Sequence, residues 1–276
     1  MTESAEQQSV AVSGGDMVYA TACGPVDAPA VCLIPGLGGV GSFFDGIVPA
    51  LAKRHRVIVH DHRGTGRSTP ARIDYSIAQM TNDLLHVMDA FEVLCAVLLG
   101  HSTGGAIAQT VALDAPERTN GLILSSTWAA PDPYFRALFE LRLDILRALG
   151  PAAYQRAGAL VLRPPDVTAA DPSELIHDDA AALARLHDPV IVASRIAAIL
   201  RHDRQAELGR VACPVLVTCA PDDVVTPPHM ARAIASAVPN ARLAMADGGG
   251  HFLPQTRPTT FLALVEPFLT TLQEHH

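Results

Sequence analysis

Short apolar runs alternate with segments of helical periodicity along most of the chain, and this alternation leaves few folds open. Residues 30–34, 57–60, 96–99, 121–124, 215–219 and 242–245 read as strands. Residues 42–54, 77–91, 104–115, 228–237 and 258–273 read as helices between or after them. Strands that are apolar without alternation are covered on both faces, and helices placed between them cross over from one parallel strand to the next. The expected class is therefore α/β, with a mostly parallel central sheet and helices on both faces. A weaker run, residues 17–20, is expected as an antiparallel edge strand at the start.

The alternation breaks once. Residues 131–205 hold no convincing strand, only helical pieces at 134–149, 180–186 and 191–201, with Pro164-Pro165 and Asp171-Pro172 as breaks. A connection of that length inside one sheet reads as a helical cap or lid inserted between two strands. The division is a core of residues 1–130 and 206–276 and a cap of 131–205. In open parallel sheets ligands bind at the carboxyl ends of the strands, so a cap there would cover a site.

The sharpest local signal is Gly100-His101-Ser102-Thr103-Gly104, directly after one strand and before an apolar helix. A serine hydroxyl is a weak nucleophile until it is lifted clear of the backbone and given a base. A tight strand-to-helix turn lifts it, and small neighbours leave room for the turn. The helix beginning at Thr103 also aims N–H groups at any negative charge that develops beside Ser102. A second loop, Pro35-Gly36-Leu37-Gly38-Gly39, lacks the phosphate-binding patterns GxxxxGK[ST] and GxGxxG. It reads instead as an oxyanion loop, with the Leu37 amide joining that of Thr103.

The base and acid are sought farther along. Asp247-Gly248-Gly249-Gly250-His251-Phe252 puts a histidine after a strand on a loop that can approach closely. Ala220-Pro221-Asp222-Asp223 puts two acids just past another strand. The expected triad is Ser102, His251 and Asp223, with Asp223 preferred over its neighbour Asp222. His60 and His62 flank Asp61 but have no further ligand cluster at metal-binding spacing. No metal and no cofactor is expected.

These residues resemble the α/β-hydrolase superfamily, whose order of triad residues along the chain is serine, acid, histidine. The stretch Asp61-His62-Arg63-Gly64-Thr65-Gly66-Arg67-Ser68 is similar to that family's D-x-R-G-x-G-x-S loop. Pro35-Gly36-Leu37-Gly38-Gly39, Tyr75-Ser76-Ile77-Ala78-Gln79-Met80 and Cys213-Pro214-Val215 look most like the aminoacrylate hydrolases of pyrimidine breakdown. Similarity to 3-oxoadipate enol-lactonases and small carboxylesterases is close behind. Two departures stand out: Pro35 where many relatives carry histidine, and Ala220 where many carry glycine.

The resemblance implies hydrolysis of a small carboxylic ester, lactone or related acyl bond through an acyl-enzyme. C–N or C–C bond hydrolysis, perhydrolysis and cofactor-free oxygenation on the same fold are the alternatives, and a non-catalytic receptor is a further one. Candidate pocket residues are Gly38, Phe43, His101, Trp128, Tyr134, Phe139 and Phe252, and the cap also carries Arg136, Tyr154 and Arg163. One or two arginines in an apolar pocket would suit a small carboxylated substrate.

Partners are bounded by charge and hydropathy. Lys+Arg 20 against Asp+Glu 28 gives a net charge of −8, which disfavours nucleic acid, and no long uncharged apolar stretch suits a membrane span. The start, MTESAEQQSV, has no basic or apolar leader region, and five scattered cysteines without a CxxC pair read as reduced core residues. The expectation is a cytoplasmic monomer or homodimer acting on a small molecule.

Overall fold

A computed structural model describes residues 5–186 and 188–274. Eight strands make one sheet: β1 (Glu6–Ala11), β2 (Met17–Cys23), β3 (Ala30–Ile34), β4 (Arg56–His60), β5 (Ala96–His101), β6 (Thr119–Ser125), β7 (Val215–Cys219) and β8 (Ala241–Met245). Their order is β1-β2-β4-β3-β5-β6-β7-β8, antiparallel for the pairs β1/β2 and β2/β4 and parallel elsewhere. The helices are α1 (Val48–Leu51), α2 (Ile77–Ala90), α3 (Thr103–Asp114), α4 (Pro133–Leu162), α5 (Pro165–Ala170), α6 (Asp179–Leu186), α7 (Pro189–Arg201), α8 (Pro228–Ala237), α9 (Leu253–Thr256) and α10 (Pro258–Gln273).

The unbroken apolar runs have a direct cause, since alternate residues of each strand feed two different cores. Cys32, Ile34, Ile58, Leu98, Leu122, Val215 and Val217 point to one side and pack with Met80, Leu84 and Val87 of α2, Ile107 and Val111 of α3, and Ile234 of α8. Val31, Leu33, Val57, Leu99, Ile123 and Leu216 point to the other and meet Leu51 of α1 and Phe261, Val265 and Phe268 of α10. Full burial of each such side chain stabilises the fold by about 1.5–3 kcal/mol.

Three expectations need correcting. The edge strand at the start is β1, whose sequence EQQSVA carries almost no apolar signal, and residues 17–20 open the second strand instead. Residues 42–54 do not form one helix. A 3₁₀ turn at Gly41–Phe44 is followed by Gly46, and the helix restarts only as the four-residue α1, where Pro49 sits in its first turn and needs no donor. Of the five cysteines, all of them free thiols, only Cys32 and Cys219 are buried, and burial pushes their thiols up to about 12 and about 11.

Between β6 and β7 the described residues form helices α4 to α7 and 3₁₀ segments at Pro172–Glu174 and Gln205–Arg210, with no strand. The expected helix at 134–149 runs on to Leu162 because Gly150, at φ 83°, lets the chain turn and Pro151 starts a second helical stretch in the new direction. Phe135, Phe139, Ile191, Ile196 and Ile199 of this segment join the same core as α2 and α3. No helix among the described residues is long and apolar enough to cross a membrane.

Candidate active site

β5 ends at His101 and α3 begins at Thr103, so Ser102 alone makes the turn, at φ 54° and ψ −116°. An L-residue is strained there, and the surroundings hold it in place. The Ser102 amide donates to the Ser125 carbonyl at 2.9 Å, and Thr127 Oγ1 donates to the Ser102 carbonyl at 2.7 Å. The glycines around it are sterically required. A Cβ on Gly100 would strike the Gly104 carbonyl, and one on Gly104 would strike that of Ile34.

His251 reaches Ser102 from the loop after β8. Its Nε2 lies 3.0 Å from Ser102 Oγ, and its Nδ1 lies 3.1 and 3.0 Å from the two carboxylate oxygens of Asp223. All three side chains are buried. Asp223 also accepts from the amides of Val225 and Thr226 at 2.8 and 2.9 Å and from Thr226 Oγ1 at 2.9 Å. Burial alone would push the Asp223 carboxyl up, but His251 beside it and the Thr226 donors outweigh that and hold it below the usual carboxylate value. Asp222 faces elsewhere, and its carboxylate accepts from the amides of Gly249 and Gly250 at 3.2 and 3.0 Å. It therefore braces the loop that carries His251. Nothing in the spacing of the acids announces that brace, nor the Thr226 donors.

The loop after β3 lies against the same serine, since a Cβ on Gly36 would sit 3.2 Å from that of Ser102. The Leu37 amide has no acceptor among the described residues, and Thr103, as the first residue of α3, has no intrahelical acceptor for its own. His62 Nε2 lies 3.0 Å from the Pro35 carbonyl, and His60 Nε2 lies 3.2 Å from His62 Nδ1. Both rings are buried, which lowers the His60 imidazole to about 4 and His62 well below its ordinary value, so the pair is neutral. A neutral His62 bonded to Pro35 braces this loop. Asp61 accepts from the Gly41 and Arg67 amides at 2.7 and 2.9 Å, a structural use of the 61–68 motif. Among the described residues no group of three or more His, Cys, Asp or Glu is placed to hold a metal ion.

A cavity of about 260 Å³ opens beside Ser102 and His251. Gly38, Phe43, His101, Phe139 and Phe252 line it, with Leu37, Tyr154 and Arg163. His101 stacks on Phe43 with ring centroids 4.6 Å apart, and burial, with His251 nearby, keeps it neutral. Trp128 and Tyr134 lie outside the cavity. Trp128 is fully buried against Phe135 under α4, and Tyr134 is half-exposed with its hydroxyl donating to the Val224 carbonyl at 2.6 Å. Arg136 also lies outside, bonded to the Leu200 carbonyl. Three lining arginines were not anticipated, Arg142, Arg185 and Arg195. A buried arginine has no mark of its own in the sequence, although Arg142 falls one turn after Phe139 on the same helical face.

Comparison with known proteins gives the family and the fold. Residues 29–153 match the family described as alpha/beta hydrolase fold, and residues 197–276 match one described as TAP-like protein. The chain is 37% identical over 245 residues to a protein provisionally named carbamate hydrolase RutD from Caulobacter sp. (strain K31), covering 88% of this chain and 91% of that one. It is 37% identical over 252 residues to its namesake from Pseudomonas syringae pv. syringae, covering 91% and 97%. Among solved structures, the enol-lactonase from Burkholderia xenovorans LB400 superimposes with a TM-score of 0.85 at 27% identity, over 96% of this chain and all of that one. A hydrolase from Pseudomonas aeruginosa PA01 gives 0.85 at 29% identity, over 96% and 98%.

Proposed function

The chain belongs to the α/β-hydrolase family and is an enzyme of hydrolase type, and from that premise we propose that it cleaves a small carboxylic ester or lactone through a covalent acyl-enzyme on Ser102. The observation that carries this reading is the continuous contact from Ser102 Oγ to His251 Nε2 at 3.0 Å and from His251 Nδ1 to Asp223.

Ser102 Oγ attacks the scissile carbonyl and passes its proton to His251 Nε2. Asp223 holds the Nδ1–H tautomer and stabilises the imidazolium that forms. The negative charge on the carbonyl oxygen is met by the amides of Leu37 and Thr103. One such donor is worth about 2.7–4 kcal/mol at the transition state. His251 then protonates the leaving oxygen. In the second half it takes a proton from the water that attacks the acyl carbon, then returns that proton to Ser102 Oγ as the acyl–oxygen bond breaks and the acid leaves. Helices α4 to α7 act as the cap over the cavity, since Phe139, Tyr154 and Arg163 from α4 and its end line it.

A second reading changes only the bond. The relatives at 37% identity are named for carbamate hydrolysis, which favours a C–N substrate attacked by the same serine, with ammonia or an amine leaving in place of an alcohol.

Initial rates on p-nitrophenyl esters from acetate to octanoate, for wild type and Ser102→Ala side by side, test the first reading. A wild-type rate abolished in the variant supports it, and the chain-length profile sizes the pocket. No rate above background removes it. Ammonia release from small carbamates and enamines, absent in Ser102→Ala, would then establish the second.

A further inference from the structure

Four arginines and one glutamate line the cavity: Arg142, Arg163, Arg185 and Arg195 against Glu174. The chain as a whole carries a net charge of −8, so this is a local excess of the opposite sign. Two of the four are accounted for. Arg185 pairs with Glu174 at 3.0 Å, and Arg195, although its Nε is sealed without a partner and it has no carboxylate beside it among the described residues, donates to the carbonyls of Leu37 and Arg63.

Of the other two, Arg142 has no counter-ion among the described residues and Arg163 has only a distant one. Arg142 is 6% exposed, and among the described residues no carboxylate lies within ion-pair distance of it. Its Nη2 donates once, to Tyr154 Oη at 3.0 Å, and its Nε is sealed from solvent without a partner. The guanidinium faces the rings of Phe139 and Tyr154, with 5.2 and 4.9 Å to their centroids. Arg163 Nη1 is likewise sealed without a partner. Among the described residues the one acid within ion-pair distance, Asp171, is 3.7 Å from the other terminal nitrogen and largely exposed. The preceding residue, Leu162, accepts the Phe252 amide at 3.0 Å, which roots Arg163 beside the His251 loop.

A buried cation without a counter-ion is costly, and ring contacts offset only part of that cost. The fold carries the cost at one place, a cavity that also holds the proposed nucleophile. A guanidinium is a planar fork whose geometry matches a carboxylate. We infer that Arg142, with Arg163 on the same cavity, receives a free carboxylate of the substrate. The molecule cleaved is then a small acyl compound that carries a carboxylate besides its scissile bond. This rests on the reading of Ser102 as nucleophile and adds the substrate class to it.

The test compares mono-p-nitrophenyl glutarate with neutral p-nitrophenyl pentanoate, on wild type, Arg142→Met, Arg142→Lys and Arg147→Met. Arg147 is an exposed arginine of α4 outside the cavity lining, so its variant controls for lost charge. Wild type should favour the glutarate hemi-ester. In Arg142→Met the ratio of kcat/KM for hemi-ester over neutral ester should fall by about 10- to 100-fold, chiefly through KM. Arg142→Lys should recover part of it, and Arg147→Met should leave both rates unchanged.

A wild type that prefers the neutral ester overturns the subsite, and so does an Arg142→Met variant that is folded and loses both esters equally. Calorimetric titration of glutarate into Ser102→Ala, with and without Arg142→Met, needs no turnover. Neutral-ester hydrolysis without glutarate binding overturns the subsite and leaves the nucleophile standing. Glutarate binding that depends on Arg142, in a wild type without Ser102-dependent turnover of esters, carbamates or enamines, overturns the nucleophile and leaves the subsite standing. Should Arg142→Met fail to fold, Arg142→Lys carries both measurements, and unchanged selectivity and affinity in it overturn the subsite.

Discussion

Arg195 on α7 donates to the Leu37 carbonyl at 3.3 Å, which ties the helices between β6 and β7 to the loop bearing a proposed oxyanion donor. The guanidinium is almost fully buried, also donates to the Arg63 carbonyl, and lies over the Tyr75 ring. Burial lowers it only to about 10, so it stays charged at neutral pH. Fixing the Leu37 carbonyl fixes the direction of the chain at its amide. Arg195→Met should therefore lower kcat by roughly 10- to 100-fold, a part of what losing the whole donor would cost. KM should move less. Steady-state kinetics on a neutral ester measure the split, and a change confined to KM would assign Arg195 to binding instead.

The two neighbouring acids should separate cleanly. Asp223 holds His251 and Asp222 holds the loop amides before it. Asp223→Asn should cost about 10³- to 10⁴-fold in kcat, because an amide donor facing Nδ1 favours the wrong tautomer. Gly249 and Gly250 bond different oxygens of the Asp222 carboxylate, so Asp222→Asn keeps an acceptor for one amide and loses the other, and should cost less than roughly tenfold, of the order of one hydrogen bond. The same p-nitrophenyl assay on both variants decides it. The reverse ranking would move the acid to Asp222.

Much of this arrangement was legible in the sequence, and the reasons are physical. The central strands stood out because both of their faces are covered, whereas β1 at the edge has little to bury and so leaves little trace. Ser102 and the loops that carry His251 and Asp223 were marked by glycines and by strand ends, which obey local rules. Trp128 and Tyr134 were misplaced because aromatic character does not tell a wall of the cavity from the packing behind it. Arg142 and Arg195 were invisible because their role depends on which carbonyls and rings α4 and α7 bring near, a matter of tertiary contact.

Backbone strain at Ser102 gives a stability prediction opposite in sign to the activity loss. At φ 54° a Cβ is disfavoured and glycine is not. Ser102→Gly should be inactive yet unfold at the same temperature as wild type or higher, by an amount worth about 1 kcal/mol. Ser102→Ala keeps the Cβ and should not gain this. Calorimetric Tm values for the three proteins test the difference, and a Ser102→Gly variant less stable than Ser102→Ala would show that the turn is not strained.

Buried neutral histidines set the acid limit of the fold. Burial lowers His60 and His202 to about 4, and His62 and His101 lie well below their ordinary value. An unfolded histidine takes up its proton near 6.5. As pH falls below that value the unfolded chain binds protons that the folded chain refuses, so stability falls with it. Each such histidine removes about 1.4 kcal/mol per pH unit until its folded value is reached. Asp223 acts in the same direction but later, since its lowered carboxyl loses its contribution only as pH falls through the carboxylate range. Urea unfolding at pH 7 and pH 5 should show a marked loss, and His202→Gln should shrink that loss by about 2 kcal/mol. His202 makes the cleaner test because its buried Nε2 has no hydrogen-bond partner to lose. An unchanged pH dependence in His202→Gln would mean that the imidazole is hydrated and titrates normally in the folded protein.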